Sequence, residues 1–379
     1  MKQMIILCNI KMNLIIQVIV MAILLRQVVI HELVKEQHEP IQPSNVKKKT
    51  LPADNPTIQK LVEGIVDLYG KKNNSAQYGV FETGDARGNF PDAFEGYKGA
   101  EENEDNFIEA TKVAMTQLYL KAADKPTASG GYILFADYVQ NDVRYFLSAM
   151  VKQKPGYKIT GALKVEDLEY IDLSRLHQAA KVNFAKYEEF AAADEVEQLD
   201  INYLSFVSPQ NNKATAGYFI TAFGCKAGAP SAKATEAVVK ESVAFFNAND
   251  TLSEHSAELS KKLYEYLDNK QGENQPAKLS EIEHIAREFF SADEADNLAE
   301  ELVAHLNSDE IGVPSEFSVN KTRLHKMTHI VYKGDDFQLT LDKDDIGQDA
   351  GSRFYYDGNR LVINELPDEF KDMLDEHFG

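Results

Sequence analysis

The sequence predicts an α+β protein, and three observations lead to this prediction. In the N-terminal half, strand patterns occur in consecutive groups beside two long helices, without strict alternation of strand and helix. A series of amphipathic helical segments follows, and strand patterns then return before a terminal helix. We therefore expect a mixed α+β domain at 21–209, a helical region at 210–310 and a small antiparallel β-rich module at 311–379.

The expected α+β domain begins with an apolar segment from Met21 that is typical of a partly buried strand entering a short helix. Asn55-Pro56 combines an N-cap residue with a proline at the first helical position, so a helix should begin there and end near Gly70. Spacing and turn residues then predict a strand at 77–82, a loop at 84–99, a helix at 106–123, and strands at 131–140 and 143–153 joined by Asn141-Asp142.

The following region should be helical. The apolar spacing predicts amphipathic helices at 214–223, 232–247, 254–269, 279–290 and 294–307. Their short connections suit antiparallel packing. After Pro314 the pattern predicts one small antiparallel meander with strands at 327–332, 336–341, 352–356 and 361–364, followed by a helix at 367–377.

The first twenty residues are a separate question. Residues 4–30 form a largely apolar run that resembles a membrane span or a signal peptide, but the run lacks a small-residue cleavage site. Met12 and Met21 are alternative starts inside it. We expect 1–20 to lie upstream of the true start, and the alternative is a membrane anchor.

Charge and cysteine content limit the function. The net charge of −20 argues against a protein that coats phosphates generally, because such binding needs clustered Lys and Arg. Any nucleic-acid contact must be local, since exposed charges are screened beyond about 8 to 10 Å. Cys8 and Cys225 are the only cysteines, which excludes a disulfide framework and favours a reducing, cytosolic compartment.

A family resemblance adds a function to this fold. Tyr170-Ile171-Asp172-Leu173 ends an extended stretch and enters a short helical piece, and Tyr203-Leu204-Ser205-Phe206 forms the next strand. This order resembles the centre of the bacterial nucleoid-associated protein family called NdpA or YejK. The likeness spans about 22–376 and includes Lys213 to Phe219, Lys321 to Leu324, Gln338 to Leu341 and the "YYDGNRLVI" segment. It implies a cytoplasmic protein of the bacterial nucleoid that binds double-stranded DNA, with single-stranded nucleic acid as a further ligand.

Two groups of basic residues are candidates for phosphate contact. The first group comprises Lys213, Lys226, Lys233 and Lys240, which lie on the two helices after the Tyr203 strand or in the connection between them. Lys226, Lys233 and Lys240 are seven residues apart, so within one continuous helix they would share a face. Gly224 and Gly228 precede this cationic face, which is a candidate for phosphate contact. An ordinary solvated helix face is the alternative interpretation. The family carries arginine where this chain has Asn212, which lowers the expected strength of phosphate binding.

The second group surrounds the Pro155-Gly156 turn and comprises Arg144, Lys152, Lys154, Lys158 and Lys164. Even spacing would place the first three on the same side of a single strand, with Tyr145 and Tyr157 available to stack on bases. Lysines that protect an edge strand from aggregation are the alternative interpretation. Lys47-Lys48-Lys49 is a third, shorter basic run.

No enzyme signature is complete. His325 and His329 have the spacing of a zinc motif but lack its glutamate, and the glycines at 84–88 and 224–228 do not have P-loop spacing. A calcium loop counted from Asp342 lacks its closing glutamate, and Cys225 lacks catalytic partners, so it should be buried and inert. We expect no catalysis, no cofactor and no metal.

Two other functions stay open. An acidic adaptor could reach the nucleoid through a basic protein partner such as a topoisomerase, which the negative charge favours. A metal-dependent nucleic-acid enzyme would need carboxylates, for which the candidates are Asp335, Asp336, Asp342 and Asp344.

Overall fold

The structure is a computed structural model, and it describes residues 23–71, 74–99, 103–195, 197–208, 213–227, 231–335 and 337–379. The predicted leader at 1–20 lies outside these residues. The described chain is a mixed α+β protein, which confirms the predicted fold class. None of the helices in the described ranges is both long and apolar enough to span a bilayer.

The strands are numbered in chain order. The first nine are β1 (Leu24–Leu33), β2 (Gln77–Phe81), β3 (Gly131–Gln140), β4 (Val143–Val151), β5 (Gln153–Ile159), β6 (Val165–Ile171), β7 (Gln178–Asn183), β8 (Leu204–Val207) and β9 (Cys225–Ala227). The remaining strands are β10 (Ala277–Lys278), β11 (Glu316–Phe317), β12 (His329–Lys333), β13 (Gln338–Asp342), β14 (Ile346–Gly347), β15 (Phe354–Tyr356) and β16 (Leu361–Ile363).

The helices are numbered in the same way. The N-terminal half contains α1 (Pro56–Leu68), α2 (Phe90–Gly99), α3 (Glu104–Ala123), α4 (Phe184–Ala192) and α5 (Lys213–Ala222). The C-terminal half contains α6 (Ser231–Asn247), α7 (Ser256–Gly272), α8 (Leu279–Arg287), α9 (Ala295–Leu306), α10 (Lys321–Thr328) and α11 (Asp368–Phe378).

An antiparallel seven-stranded sheet forms the centre of the N-terminal half, with the order β1-β3-β4-β7-β8-β2-β9. One face packs against α2, α3 and α5 through a core rich in phenylalanine, including Phe90, Phe107 and Phe223. The other face is covered by α1, whose Val62 and Ile65 are fully buried. The first core extends to Cys225, beyond the expected boundary at 209, because α5 and β9 pack onto this sheet.

Local sequence signals explain several of these elements. The Asn55 side chain accepts hydrogen bonds from the backbone N–H groups of Thr57 and Ile58, as expected of an N-cap. Asn141 and Asp142 both have positive φ, 51° and 62°, which gives the turn between β3 and β4 the twist that a hairpin needs. The predicted helix N-terminus and the predicted hairpin are therefore confirmed.

The five predicted amphipathic helices correspond to α5, α6, α7, α8 and α9. The last four bury leucine and other apolar side chains in a second core, which continues through Phe317 to Leu324 in α10. The joint between this core and the sheet is polar. It includes an ion pair of 2.6 Å between Lys181 and Asp309.

Three predicted elements differ from the structure. The loop expected at 84–99 contains α2, because Phe90, Phe94 and Tyr97 are buried against the sheet. No helix follows β1, since the chain crosses back along the edge of this strand. The C-terminal strands do not form a single meander: β12 pairs with β13, while β14, β15 and β16 form another sheet in which β14 and β15 are parallel.

Candidate nucleic-acid interface

Arg144 is occupied inside the protein. Its guanidinium forms an ion pair of 2.6 Å with Asp137, whose side chain is fully buried, and it lies 4.2 Å from the centre of the Phe184 ring. The Tyr97 hydroxyl also donates a hydrogen bond to Asp137. Burial and the adjacent Asp137 carboxylate raise the pKa of Tyr97, so this phenol remains a donor at neutral pH. Arg144 is therefore held inside the protein through Nε and Nη2, where it stabilises the sheet.

The other members of the second group do not share a strand with Arg144, because β4 ends at Val151 and β5 belongs to a separate two-stranded sheet with β6. Lys152 donates to the Ser129 hydroxyl at 2.8 Å. Lys154 and Lys158 form ion pairs with Asp172 and Glu166, and the exposed Lys164 lies in the turn of the hairpin.

The two tyrosines of this region differ in their exposure to solvent. Tyr145 is buried and stacks on Tyr138 at 5.4 Å, so it is not available to a base. Tyr157 is 79% exposed. The expectation of one basic and aromatic face around a Pro155-Gly156 turn is thus wrong. Pro155 and Gly156 lie within β5, and the basic side chains have partners in other segments of the chain.

The described side chains of the first group, those of Lys226, Lys233 and Lys240, are exposed but are divided between two elements. Lys226 lies in β9 opposite Val80, whereas Lys233 and Lys240 lie two turns apart in α6. Lys233 donates to the backbone carbonyl of Asp200 at 3.4 Å, and Lys240 lies 3.9 Å from the Glu241 carboxylate. Lys213 begins α5, and its side chain lies outside the described part of the chain.

Gly224 serves the fold at this position. It has φ of +63°, and a Cβ atom there would lie 2.0 Å from the carbonyl oxygen of Arg87. The glycine therefore permits a close approach between β9 and the 84–88 turn. This structural requirement explains Gly224 without any phosphate.

The third basic run has the most favourable surroundings. Lys47, Lys48 and Lys49 are all exposed, and no carboxylate among the described residues forms an ion pair with them. They line a cavity of about 670 Å³ beside β1. The backbone N–H of Lys47 donates to the buried ring of His31 at 3.1 Å, which attaches the run to the sheet. The sequence signal was only three adjacent lysines, and the structure adds the cavity.

The candidate enzyme residues that the structure describes do not assemble into a metal or catalytic centre. The rings of His325 and His329 stack at 4.0 Å at the end of α10. In the part of the chain that the structure covers, no cluster of three or more His, Cys, Asp or Glu side chains could hold a metal ion. Asp345 forms an ion pair with Arg353, while Asp336 and the Asp344 side chain lie outside the described part.

Comparison with known proteins identifies the family. The family model described as nucleoid-associated protein YejK matches residues 29–371, which is most of the chain. The chain belongs to this family. The YejK family match agrees with the resemblance seen in the sequence and carries a nucleoid-associated role.

Individual relatives agree with the family match. A nucleoid-associated protein of Azotobacter vinelandii is 24% identical over 330 residues, which cover 85% of this chain and 89% of the relative. A nucleoid-associated protein of Pseudomonas entomophila is 25% identical over 320 residues, with 84% and 88% coverage. The similarity to YejK-family proteins therefore extends across both halves of the molecule.

Proposed function

We propose that this protein is a non-catalytic nucleoid protein of the bacterial cytoplasm that binds double-stranded DNA through lysine–phosphate contacts. Lys47–Lys49 would make the first contact. Lys226, Lys233 and Lys240, with Lys213 at the start of α5, would form a second and weaker surface. Arg144, Lys152, Lys154 and Lys158 are not included, because their intramolecular partners lie at 2.6 to 3.2 Å. The partners of Lys233 and Lys240 are more distant, at 3.4 and 3.9 Å.

The observation that carries this proposal is that three adjacent exposed lysines line one cavity and form no ion pair with a described carboxylate; the Glu104 carboxylate acts on Lys49 only from beyond ion-pair distance. In a chain with a net charge of −20, such a place is where a polyanion can approach. Each phosphate neutralised by a lysine releases counterions, so the affinity should fall steeply with salt. Family membership supports the same function.

A salt titration of binding to a random-sequence duplex tests the proposal. Changing Lys47, Lys48 and Lys49 together to Glu should lower the slope of log K against log salt by about 2.7, at about 0.9 per lost phosphate contact. The matched control changes Lys60, Lys125 and Lys261 to Glu, because these exposed lysines belong to different segments: α1, the turn after α3, and α7. Both triple variants have the same net charge.

The comparison separates local contact from the overall field. If both triple variants weaken binding equally, net charge controls the affinity and the Lys47–Lys49 contact is rejected. A variant with Lys226, Lys233 and Lys240 changed to Glu should lower the slope by a smaller amount. The non-catalytic part is tested with supercoiled plasmid and Mg²⁺ or Mn²⁺, where we expect no nicking over hours.

A second candidate function is an adaptor that docks on a basic nucleoid protein such as a topoisomerase. It is favoured by residues 329–379, which contain thirteen Asp and Glu against five Lys and Arg. Leu341 is the one buried residue among the described positions of this stretch, while Phe337, Met373 and Phe378 are 59%, 66% and 82% exposed. Exposed apolar side chains surrounded by acids suit a basic protein surface with an apolar groove.

The adaptor is distinguished by reconstitution. A purified topoisomerase should retain this protein on duplex DNA when the protein alone is not retained. Changing Phe337, Met373 and Phe378 to Ser should abolish that retention. Retention of the protein on DNA without a partner, unaffected by these changes, would reject the adaptor.

A further inference from the structure

A cavity of about 670 Å³ lies at the open edge of the seven-stranded sheet. β1 is the edge strand, and the chain at 45–51 runs beside it. Asn45 exchanges two backbone hydrogen bonds with Glu32, and the Leu51 N–H donates to the Val28 carbonyl at 2.8 Å. Ile30 lies two residues from both Val28 and Glu32. Because the backbone direction in a strand alternates with a period of two, the N–H and C=O of Ile30 point to the same edge as those of its two neighbours in this series. Backbone donors and acceptors therefore face the cavity.

The lining combines cations with flat apolar surface. Lys47–Lys49 supply the positive charge, while Ile30, Leu51 and the ring of Tyr132 supply half-buried apolar surface. Glu32 is the one carboxylate of the lining. A ligand that matches this lining combines an anionic group with a flat ring.

We infer that this cavity binds one unpaired nucleotide, with its phosphate on Lys47–Lys49 and its base against Tyr132. Bases of any type stack on aromatic side chains, and lysines neutralise the backbone beside them, as in single-strand binding proteins. The volume is in the range of pockets that hold one small molecule. A paired base cannot enter, because both of its faces are covered within the helical stack.

Glu32 gives the site a base preference. A carboxylate accepts a hydrogen bond from an exocyclic amino group, such as N4 of cytosine, and repels the keto oxygen at the same position of thymine. Glu32 is the cross-strand partner of Tyr132, so a base that stacks on Tyr132 lies beside the Glu32 carboxylate. Cytosine should therefore bind more tightly than thymine.

This inference rests on the proposed function for its lysine–phosphate contacts, and the test separates the two. The full-length protein is titrated with a labelled single-stranded deoxycytidine hexamer and with an abasic hexamer that has the same number of phosphates. One stacked base should make the cytidine strand bind at least about fivefold more tightly. Equal binding of both strands would overturn the nucleotide cavity, while salt-dependent duplex binding would leave the proposed function intact.

Competition between deoxycytidine monophosphate and the labelled hexamer shows whether the ligand of the cavity is a free nucleotide or a nucleotide within a strand. Competition at the same concentration as the hexamer would identify a free nucleotide as the ligand. Much weaker competition would identify a strand, whose neighbouring phosphates add contacts. A strand of thymidine should bind less tightly than one of cytidine, and Glu32→Gln should remove this difference.

Tyr132→Leu should weaken the cytidine strand at least about fivefold and leave the abasic strand unchanged. Tyr157→Leu is the matched control, because this exposed tyrosine lies on the separate β5–β6 hairpin. A loss at Tyr157 and none at Tyr132 would overturn the assignment.

Photocrosslinking gives a measurement that does not depend on a substituted protein. A strand containing 5-iodo-deoxycytidine should form its adduct at Tyr132 or within 29–51. Adducts confined to other peptides would overturn the inference.

Discussion

The Nδ1 atom of His31 accepts a hydrogen bond from the backbone N–H of Lys47 at 3.1 Å. The Nε2 atom lies 3.0 Å from the hydroxyl of Thr111, which itself donates to the Ile108 carbonyl. Because Nδ1 accepts, a neutral ring must carry its proton on Nε2 and donate it to Thr111. His31 thus joins the lysine run to α3 through the sheet, and a second proton on the ring would remove the bond to Lys47.

The first prediction concerns pH. Burial, and then the charges of Lys112 and Lys47, lower the pKa of His31 to about 4 from 6.5. Below pH 6.5 the unfolded chain takes up a proton that the folded protein excludes, so the free energy of unfolding decreases. The contribution of the neutral His31 to the free energy of unfolding is fully present above pH 6.5. About 3 kcal/mol of this free energy should be lost as the pH falls to 4.

The measurement is a titration of the His31 ring resonance by NMR, assigned with the variant His31→Gln. We expect a midpoint below pH 5. A midpoint at pH 6 or above would contradict the neutral, buried ring.

The second prediction concerns Arg144, which the sequence suggested as a phosphate ligand. Arg144→Met leaves the buried Asp137 carboxylate without its ion partner, which should lower the free energy of unfolding by about 3 to 5 kcal/mol. The salt slope of DNA binding should not change in protein that remains folded. Urea unfolding and a DNA titration of the same sample measure the two effects.

A double variant provides the control. Asp137→Leu combined with Arg144→Met removes both charges and should recover part of the lost stability. Tyr97 then lacks its acceptor, so recovery should be incomplete. A lower salt slope in folded Arg144→Met would return Arg144 to the proposed DNA-binding residues.

These comparisons show what local sequence can predict. The N-cap at Asn55 and the turn at Asn141-Asp142 depend on a few adjacent residues, and both were predicted. The helix Phe90–Gly99 was not, because its proline and two glycines are poor helix formers. It forms because Phe90, Phe94 and Tyr97 bury their rings against the sheet, which is a tertiary effect.

The candidate interface was less predictable than the fold, and the reason is electrostatic. Whether a lysine is available to phosphate depends on where the nearest carboxylate lies in space. Asp172 is 18 positions from Lys154, and Asp309 is 128 positions from Lys181, so spacing along the chain does not reveal these pairs. The run at 47–49 could be recognised as basic, but its cavity depends on the distant β1.

The third prediction concerns Cys225. Burial, and then the charge of Glu82, raise the pKa of its thiol, so the thiolate that reacts with alkylating agents is not formed. In a Cys8→Ser protein we expect no labelling by iodoacetamide at pH 8 under native conditions. One thiol should react after unfolding in guanidinium, and rapid native labelling would contradict a buried Cys225.

The joint between the two halves depends on Asn307, which is buried. Its side chain accepts a hydrogen bond from the Ala76 N–H at 2.6 Å and donates to the carbonyl groups of Ala76 and Val313 at 3.0 and 2.7 Å. Its backbone carbonyl accepts a bond from the Tyr78 hydroxyl. One side chain thus satisfies polar groups from both the sheet and the helical half.

The fourth prediction follows from this arrangement. Asn307→Ala removes the side-chain partner of the Ala76 N–H and of the Val313 carbonyl, at about 1 to 3 kcal/mol each, while the Ala76 carbonyl keeps the Ser315 N–H; this cost falls on the contact between the halves. Urea unfolding followed by circular dichroism should then separate into two transitions, with the helical half unfolding first because it has lost its support on the sheet. Asn359→Ala, at an exposed position, should leave the unfolding curve unchanged. A single transition with an unchanged midpoint in Asn307→Ala would mean that other contacts, such as the Lys181–Asp309 ion pair, hold the halves together.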